Sequence, residues 1–402
     1  MKRIMILGGG VNQLPFIIKA KECGYYTVLC DYLPDCPGKQ YADVHYQVST
    51  YDFEAIKNVA IDEKVDGIIS NSEPVLHIVS KLTDDLKLPS VPLPIMERFL
   101  NKDRMRDFLT PIGLSDVAYA VCKTEDEALA FYRSKPVKMI MKPLDSSASR
   151  GVYSVQSEAD IHDHFSDTLS QNRRQGTVLF EEYIEGTEFT VDGICIDGRH
   201  TTLAISKKKH YAYNENVAYE LFFSYSDCDY DYDELRRIND EIVSAAGLPF
   251  GMTHSEYKYS NGKFHLIEVA ARGGGAFIST GIVPYLTKTD TVKLLIDAAC
   301  GDKCQGVEIF PADARGRVAV LEFFDTPDGR SGIVEDIQGL DFLENDCHIF
   351  KYGLEFGIGD YIQPAENDSK RIGYYIAFAD SRKELNTVME KVKEQFRIVL
   401  DD

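Results

Sequence analysis

The chain has 402 residues, 44% of them hydrophobic and 27% charged, with a formal net charge of −20. That is the composition of a soluble globular protein with room for about two or three domains. With no basic tract to offset the acid, it excludes a nucleic-acid or anionic-membrane partner. Nine cysteines and no Cys-x-x-Cys pair point to reduced thiols in a cytoplasmic protein. No apolar run approaches the roughly 18 residues of a membrane span, and Met1-Lys-Arg is followed by too few apolar residues for a secretory signal.

Residues 1–100 alternate strand and helix signals. Arg3–Leu7 is a short apolar strand, Gly8-Gly9-Gly10 turns it into a helix running from Leu14 to Ala20, and Thr27–Cys30 is a second strand ending at Asp31. Asp66–Ser70 is another, closed by Asn71-Ser-Glu73-Pro74. This order predicts a doubly wound parallel α/β sheet. The glycine loop lacks the third glycine of a dinucleotide fingerprint. Exposed amides at a helix N-terminus suit a carboxylate or phosphate, so Gly9 and Gly10 are candidate substrate contacts, with a plain tight turn as the alternative. The proline-rich run Leu88–Pro94 is read as a linker.

From residue 100 the pattern changes. Helices are expected at Glu125–Ser134, Tyr232–Ala246 and Thr289–Cys300, and strands at Val137–Lys142, Val178–Ile184 and Glu188–Ile194. The loop Asp145–Gly151 is small and hydroxyl-rich, so its amides can approach phosphate oxygens closely. The acidic run Asp227–Glu234 lacks the glycine and spacing of a calcium loop and is read as a solvated helix approach. Beyond about residue 306 strand patterns resume, at Asp346–Tyr352 and Arg371–Ala379, and a helix over Ser381–Phe396 ends the chain.

The stretch Glu256–Gly275 is the most informative. It reads as two strands joined at Asn261-Gly262, an acid near the far end of each, then Arg272 and three glycines. Two carboxylates brought together cost free energy unless a cation sits between them. A two-residue Asn-Gly turn pairs Glu256 with Ile267 and puts Glu268 on the opposite face. One extra residue in the turn pairs Glu256 with Glu268 directly, and that bulged three-residue turn is the form expected here. A surface hairpin with incidental acids is the plainer alternative.

Lys102, Lys142, the serine-rich loop, Glu181–Ile184, Glu188, Glu256, Glu268 and Arg272, in this order, resemble the ATP-grasp superfamily over nearly the whole chain. The resemblance implies a pre-ATP-grasp parallel α/β domain over 1–100. An ATP-grasp fold of two α+β subdomains clasping ATP follows over 101–305, with the nucleotide-clasping subdomain at about 120–187. A C-terminal α+β segment occupies 306–402. It implies ATP and Mg2+ as cofactors, with Mn2+ as a substitute. Lys102 and Lys142 would contact the phosphates, and Ser146, Ser147, Ser149 and Gly151 would cover them. Glu181, Glu182, Tyr183 and Ile184 would present backbone groups to adenine, Glu188 would hold the ribose, and Glu256 and Glu268 would bind the metal. Where many members carry a third ligand, an asparagine, this chain has Ala270, which puts a second metal in doubt.

Thr253-His254-Ser-Glu256 together with Ile267–Gly274 resembles a narrower branch, the L-amino-acid ligases. There Arg272 would stabilise the developing oxyanion; a structural ion pair with Glu268 is its other reading. Gly274 would let substrate approach the backbone, and Glu73, Asn71, Gly9, Gly10 and His254 would face it. Lys207–Tyr211 resembles a mobile loop that closes on the γ-phosphate, with a solvated hairpin tip as the alternative. The implied function is an ADP-forming carboxylate–amine ligase working through an acyl phosphate, on an amino acid or other small carboxylate and an amine, in a family whose members are often homodimers. Other ATP-grasp chemistry, in nucleotide, carbamoyl-phosphate or sugar-tailoring metabolism, and a non-catalytic ATP-binding module are the alternatives.

Overall fold

The computed structural model describes residues 1–144, 151–172, 176–304 and 309–401. The N-terminal sheet is parallel, in the order β3-β2-β1-β4, from β1 (Arg3–Leu7), β2 (Tyr26–Asp31), β3 (Val44–Gln47) and β4 (Gly67–Ile69). β1 and β2 are buried almost throughout because helices cover both faces of a parallel sheet. α1 (Leu14–Glu22) packs on one face, and α2 (Phe53–Asp62) and α3 (Leu76–Asp85) on the other. The helix Thr291–Ala299, far along the chain, also packs beside α1. Its end approaches β4 so closely that a Cβ on Gly67 would lie 2.4 Å from the Ala299 carbonyl oxygen. The doubly wound expectation therefore holds, and its core is completed from the second half of the chain.

The expected linker is irregular only up to Pro92. α4 (Leu93–Leu100) and α5 (Lys102–Leu109) follow, separated by extended Asn101. Next comes an antiparallel four-stranded sheet, β5-β8-β6-β7, from β5 (Tyr119–Cys122), β6 (Met139–Pro143), β7 (Tyr153–Val155) and β8 (Val178–Glu182). α6 (Glu125–Ser134) and α7 (Glu158–Ser170) supply its apolar core. Both start at side-chain caps, Thr124 and Ser157, as residues of that type before an acidic first turn require. We call this the clasp sheet.

The largest sheet has eight strands in the order β13-β12-β9-β10-β11-β14-β18-β16. It draws on β9 (Thr187–Ile196), β10 (Arg199–Tyr211), β11 (Asn214–Phe223), β12 (Gly251–Ser260) and β13 (Lys263–Ala270). The C-terminal part adds β14 (Val318–Phe323), β15 (Gly332–Gln338), β16 (Ile349–Leu354), β17 (Tyr361–Ile362), β18 (Gly373–Ala379) and β19 (Arg397–Leu400), of which β17-β15-β19 form a small separate sheet. α8 (Tyr232–Ala246) packs against the first half of the long sheet, α9 (Val283–Thr287) and α10 (Thr291–Ala299) line its other side, and α11 (Leu340–Asn345) and α12 (Arg382–Gln395) cover the C-terminal strands. β14 pairs directly with β11, so the sheet runs unbroken from the grasp strands into the C-terminal α+β part.

Three expectations change. Lys207–Tyr211 is not a mobile loop: these residues lie in β10, with Lys207 paired to Phe189 on one side and Phe222 on the other. The hairpin tip beyond them is docked on the C-terminal part, where Asn214 donates to the carbonyls of Ala365 and Glu366. The chain ends in β19 rather than in the helix before it. The Asn261-Gly262 turn has two residues, both at positive φ (50° and 78°), the type I′ form that matches strand twist. Glu256 nonetheless pairs with Glu268, because the extra residue sits up the strand: Tyr257 pairs with Leu266, Glu256 with Glu268, and Ile267 is bulged out. The register was right and its cause was not. The acidic run, for its part, caps α8 through Asp231 and pairs Asp227 with Lys207.

Candidate active site

The site lies where β9, β10, β12 and β13 meet α5 and the clasp sheet. Opposed residues of an antiparallel pair bring their side chains together, and like charges there repel. Each of the two opposed acids has a lysine. Lys102, the first residue of α5, donates from Nζ to Glu268 Oε1 at 2.9 Å. Lys208 of β10 reaches Glu256 Oε1 at 2.8 Å and also Glu188, and His210 lies 3.3 Å from the same Glu188. Burial works to raise the Glu268 carboxyl, but Lys102, with Lys142 and Arg272 behind it, outweighs that and holds it at about 2. Burial likewise opposes ionisation of Glu188, and Lys208 and His210 overcome it and hold it well below the usual carboxylate range. Lys102 and Lys208 bring positive charge to the site, each held by carboxylates, and a lysine is a compact point charge of the kind a phosphate accepts.

Lys142, at the end of β6, pairs with Glu181 of β8, and both are buried. Burial, with the charges of Lys102 and Arg106 nearby, lowers the Lys142 pKa despite Glu181. The Glu181 side chain thus faces Lys142 and Arg106 and not solvent. Its neighbours Glu182, Tyr183 and Ile184 emerge half-exposed as β8 ends, Glu182 paired with Lys135 and the Tyr183 ring lying under Lys138 and Lys258. Ser146, Ser147 and Ser149 lie outside the described residues. Gly151 is at φ 68°, where a Cβ would press within 2.7 Å of Gln171.

The acids suit the metal that the fold implies. Two opposed carboxylates are hard oxygen donors of the kind Mg2+ takes, leaving further positions to water and phosphate oxygens, and Mn2+ accepts the same set. Ala270 is buried opposite His254 and adds no donor.

Past β13 the chain lines a cavity of about 340 Å3 bounded by Asn12, Asn71, His254 and residues 272–277. Arg272 pairs with Glu73, not Glu268: Nε and Nη2 lie 2.9 and 2.8 Å from Glu73 Oε2, and Nη1 donates to the Gly273 carbonyl. Asn71 accepts the Gly273 N–H at 2.9 Å. The backbone then turns through Ala276 (φ 47°) and Phe277 (φ 61°) into a π-helical turn, Ile278–Ile282. Two consecutive non-glycine residues in the left-handed region are strained, and such strain concentrates at binding sites.

Not every expected contact is available. The Gly9 amide is taken up by Asp31, and a Cβ there would lie 2.5 Å from Cys36 Sγ, so Gly9 is a packing residue and its amide cannot greet substrate. Gly10 keeps open space. Gly274 is pinned by its N–H to Asp192 Oδ1, and a Cβ would collide with Asp192 and His254; close approach there is to Asp192 rather than to open cavity. Asp192, 2% exposed, also orients His254 through Nδ1 at 3.0 Å. Asp192 and Arg106 were missed in the sequence. An aspartate inside the apolar run Phe189–Ile194 was the signal for one, and an arginine four residues after Lys102, one helical turn along the same face, for the other.

Comparison with known proteins bears on the domains and the fold. Residues 135–280 match the ATP-grasp domain and residues 327–401 the L-amino acid ligase C-terminal domain 2. The chain therefore carries an ATP-grasp domain in its middle and an L-amino acid ligase C-terminal domain 2 near its end. It is 28% identical over 198 residues to a formate-dependent phosphoribosylglycinamide formyltransferase of Chlorobium phaeobacteroides, a match covering 47% of this chain and 50% of the relative. It is 26% identical over 230 residues to dapdiamide A synthase of Enterobacter agglomerans, covering 55% and 53%. The chain therefore spans about half the length of these curated relatives. Its fold superposes on the L-amino acid ligase of Bacillus licheniformis with a TM-score of 0.80 and 20% identity, covering 100% of this chain and 99% of that one. No described helix is long and apolar enough to cross a membrane.

Proposed function

We propose that this protein is an ATP-dependent, ADP-forming carboxylate–amine ligase that works through an acyl phosphate, on an amino acid or other small carboxylate and an amine. The observation that carries the proposal is the opposition of Glu256 and Glu268 beside Lys102 and Lys208. With Lys142 on β6 of the clasp sheet and the Arg272 cavity past the end of β13, it supports phosphoryl transfer to a carboxylate. The printed names of the relatives, a formate-dependent formyltransferase and two enzymes named as synthase and ligase, support a carboxylate joined to an amine.

In this reading Lys102 and Lys142 bind the phosphates as point charges, backbone groups of Glu181–Ile184 recognise adenine, and Glu188 holds the ribose. Glu256 and Glu268 would hold Mg2+, which would supply neutralising charge to the transferred phosphoryl group. Arg272 keeps two of its five N–H groups beyond those given to Glu73 and Gly273, and aims them at the oxyanion of the acyl phosphate and of the tetrahedral adduct. Glu73, Asn71 and His254 place the carboxylate and amine within the cavity. The amine displaces phosphate from the acyl carbon: the new C–N bond forms, the C–O bond to phosphate breaks, and the ammonium's two lost protons leave with phosphate and solvent. Regulation by ATP without turnover is the competing reading.

The test is ADP release from MgATP across paired pools of carboxylates, amino acids and amines, with mass analysis of any stimulated reaction. A pair that stimulates release and yields a product lighter by one water than the two substrates together supports the ligase. ATP binding without stimulation by any pair refutes it.

A further inference from the structure

We propose that Arg106 is the positioning residue of this site: it holds the strand bulge that turns Glu268 toward Glu256 and ties that bulge to the clasp sheet. The inference rests on the metal role proposed above for the two acids.

A regular hairpin from the two-residue turn would set Glu256 against Ile267 and send Glu268 to the opposite face. The bulge at Ile267 prevents this, and a bulge breaks the ladder and leaves peptide groups without ladder partners. Among the described residues β13 is also an edge strand, with no second strand to lock its register. Arg106 locks it. Its Nη1 donates to the Leu266 carbonyl at 2.8 Å and its Nη2 to the Ile267 carbonyl at 3.3 Å, the two residues at the bulge. Arg106 follows Lys102 by one turn of α5, so a single helix face grips both the carboxylate of Glu268 and the backbone just before it.

The other arms of the guanidinium point to the clasp. Nε donates to Glu181 Oε1 at 2.6 Å, and Nη1 also reaches Ser115 Oγ at 3.1 Å. The second oxygen of Glu181 takes Lys142. One 1%-exposed side chain thus links metal register, clasp sheet and phosphate lysine. A planar five-donor fork can serve these partners together, and a lysine ammonium on a flexible stem cannot. A buried ion pair adds little net stability over apolar packing, so what Arg106 contributes is geometry.

The test titrates Mn2+ against the full chain with saturating ADP, reading bound metal by electron paramagnetic resonance, in wild type, R106K, R106Q, E181Q and E268Q. Half-saturating Mn2+ is expected to rise tenfold or more in R106K and R106Q but less than threefold in E181Q, where the bulge contacts persist. ADP affinity is expected to fall in all three. Thermal melts confirm folding, and R106K carries the test if R106Q melts below the assay temperature. Wild-type Mn2+ binding in a folded Arg106 variant overturns the proposal, as does an equal loss in E181Q. Unchanged Mn2+ binding in E268Q refutes the metal assignment and the proposal with it, a result distinct from a metal loss confined to E268Q.

Discussion

Arg272→Ala separates an oxyanion role from a structural one. The pair Arg272–Glu73 keeps about a quarter of each side chain exposed (26% and 26%), so its contribution to stability is only about 1 kcal/mol. Removing a donor aimed at a developing oxyanion costs far more, about 3–4 kcal/mol, or about 10²–10³ in turnover. Arg272→Ala is therefore expected to lower carboxylate-stimulated ADP release by two to three orders of magnitude, roughly the loss of one oxyanion donor, with ATP affinity nearly unchanged. Glu73→Gln, which keeps a neutral acceptor for the guanidinium, is expected to lose much less turnover. Steady-state ADP release with the stimulating pair, alongside nucleotide binding by calorimetry, reads both quantities. Turnover within tenfold of wild type, or a loss confined to ATP affinity, would refute the oxyanion assignment.

Other expectations follow from the same geometry. Glu268 has its pKa held at about 2, below the ordinary 4.5, so the stability it contributes is fully present above pH about 4.5 and is lost as pH falls through about 2. A shift of that size is about 3 kcal/mol in full, reduced to about 1–2 kcal/mol because Glu268 is 32% exposed to screening water; urea unfolding of wild type and E268Q should differ by a constant amount near neutrality and converge in acid. A gap that widens below pH 4 contradicts the sign. Gly67→Ala, which sets a Cβ 2.4 Å from the Ala299 carbonyl, is expected to destabilise the fold by about 1–3 kcal/mol through overpacking, and an unchanged melting temperature would place α10 farther from β4. Ala276→Gly relieves a left-handed residue at φ 47° and is expected to stabilise by up to about 1 kcal/mol; destabilisation in the same melt would show that the turn is not strained.

Much of this was legible along the chain because the signals are local. The βαβ order, the helices α6 and α8 and the two strands around Asn261-Gly262 each declare themselves within a few residues. What the linear pattern could not give were relations between distant backbones. Whether Lys207–Tyr211 forms a loop depends on two partner strands, β9 and β11, that bracket it. The amide of Gly9 was claimed by Asp31, a residue on the neighbouring strand. Glu256 and Glu268 were expected to face each other and do, but the bulge stands at Ile267, beside Arg106, and not in the turn: hairpin length fixes turn type, while an arginine some 160 residues earlier in the chain grips the carbonyls of the bulge. Arg272 found Glu73, 199 residues earlier in the chain, a partner no spacing rule suggests.

The central claim is that a carboxylate is activated by phosphorylation, and oxygen labelling tests it most directly. With the stimulating substrate labelled with 18O in its carboxylate, one label per turnover is predicted to appear in inorganic phosphate, together with ADP. Unlabelled phosphate, or AMP and pyrophosphate in place of ADP, would contradict it.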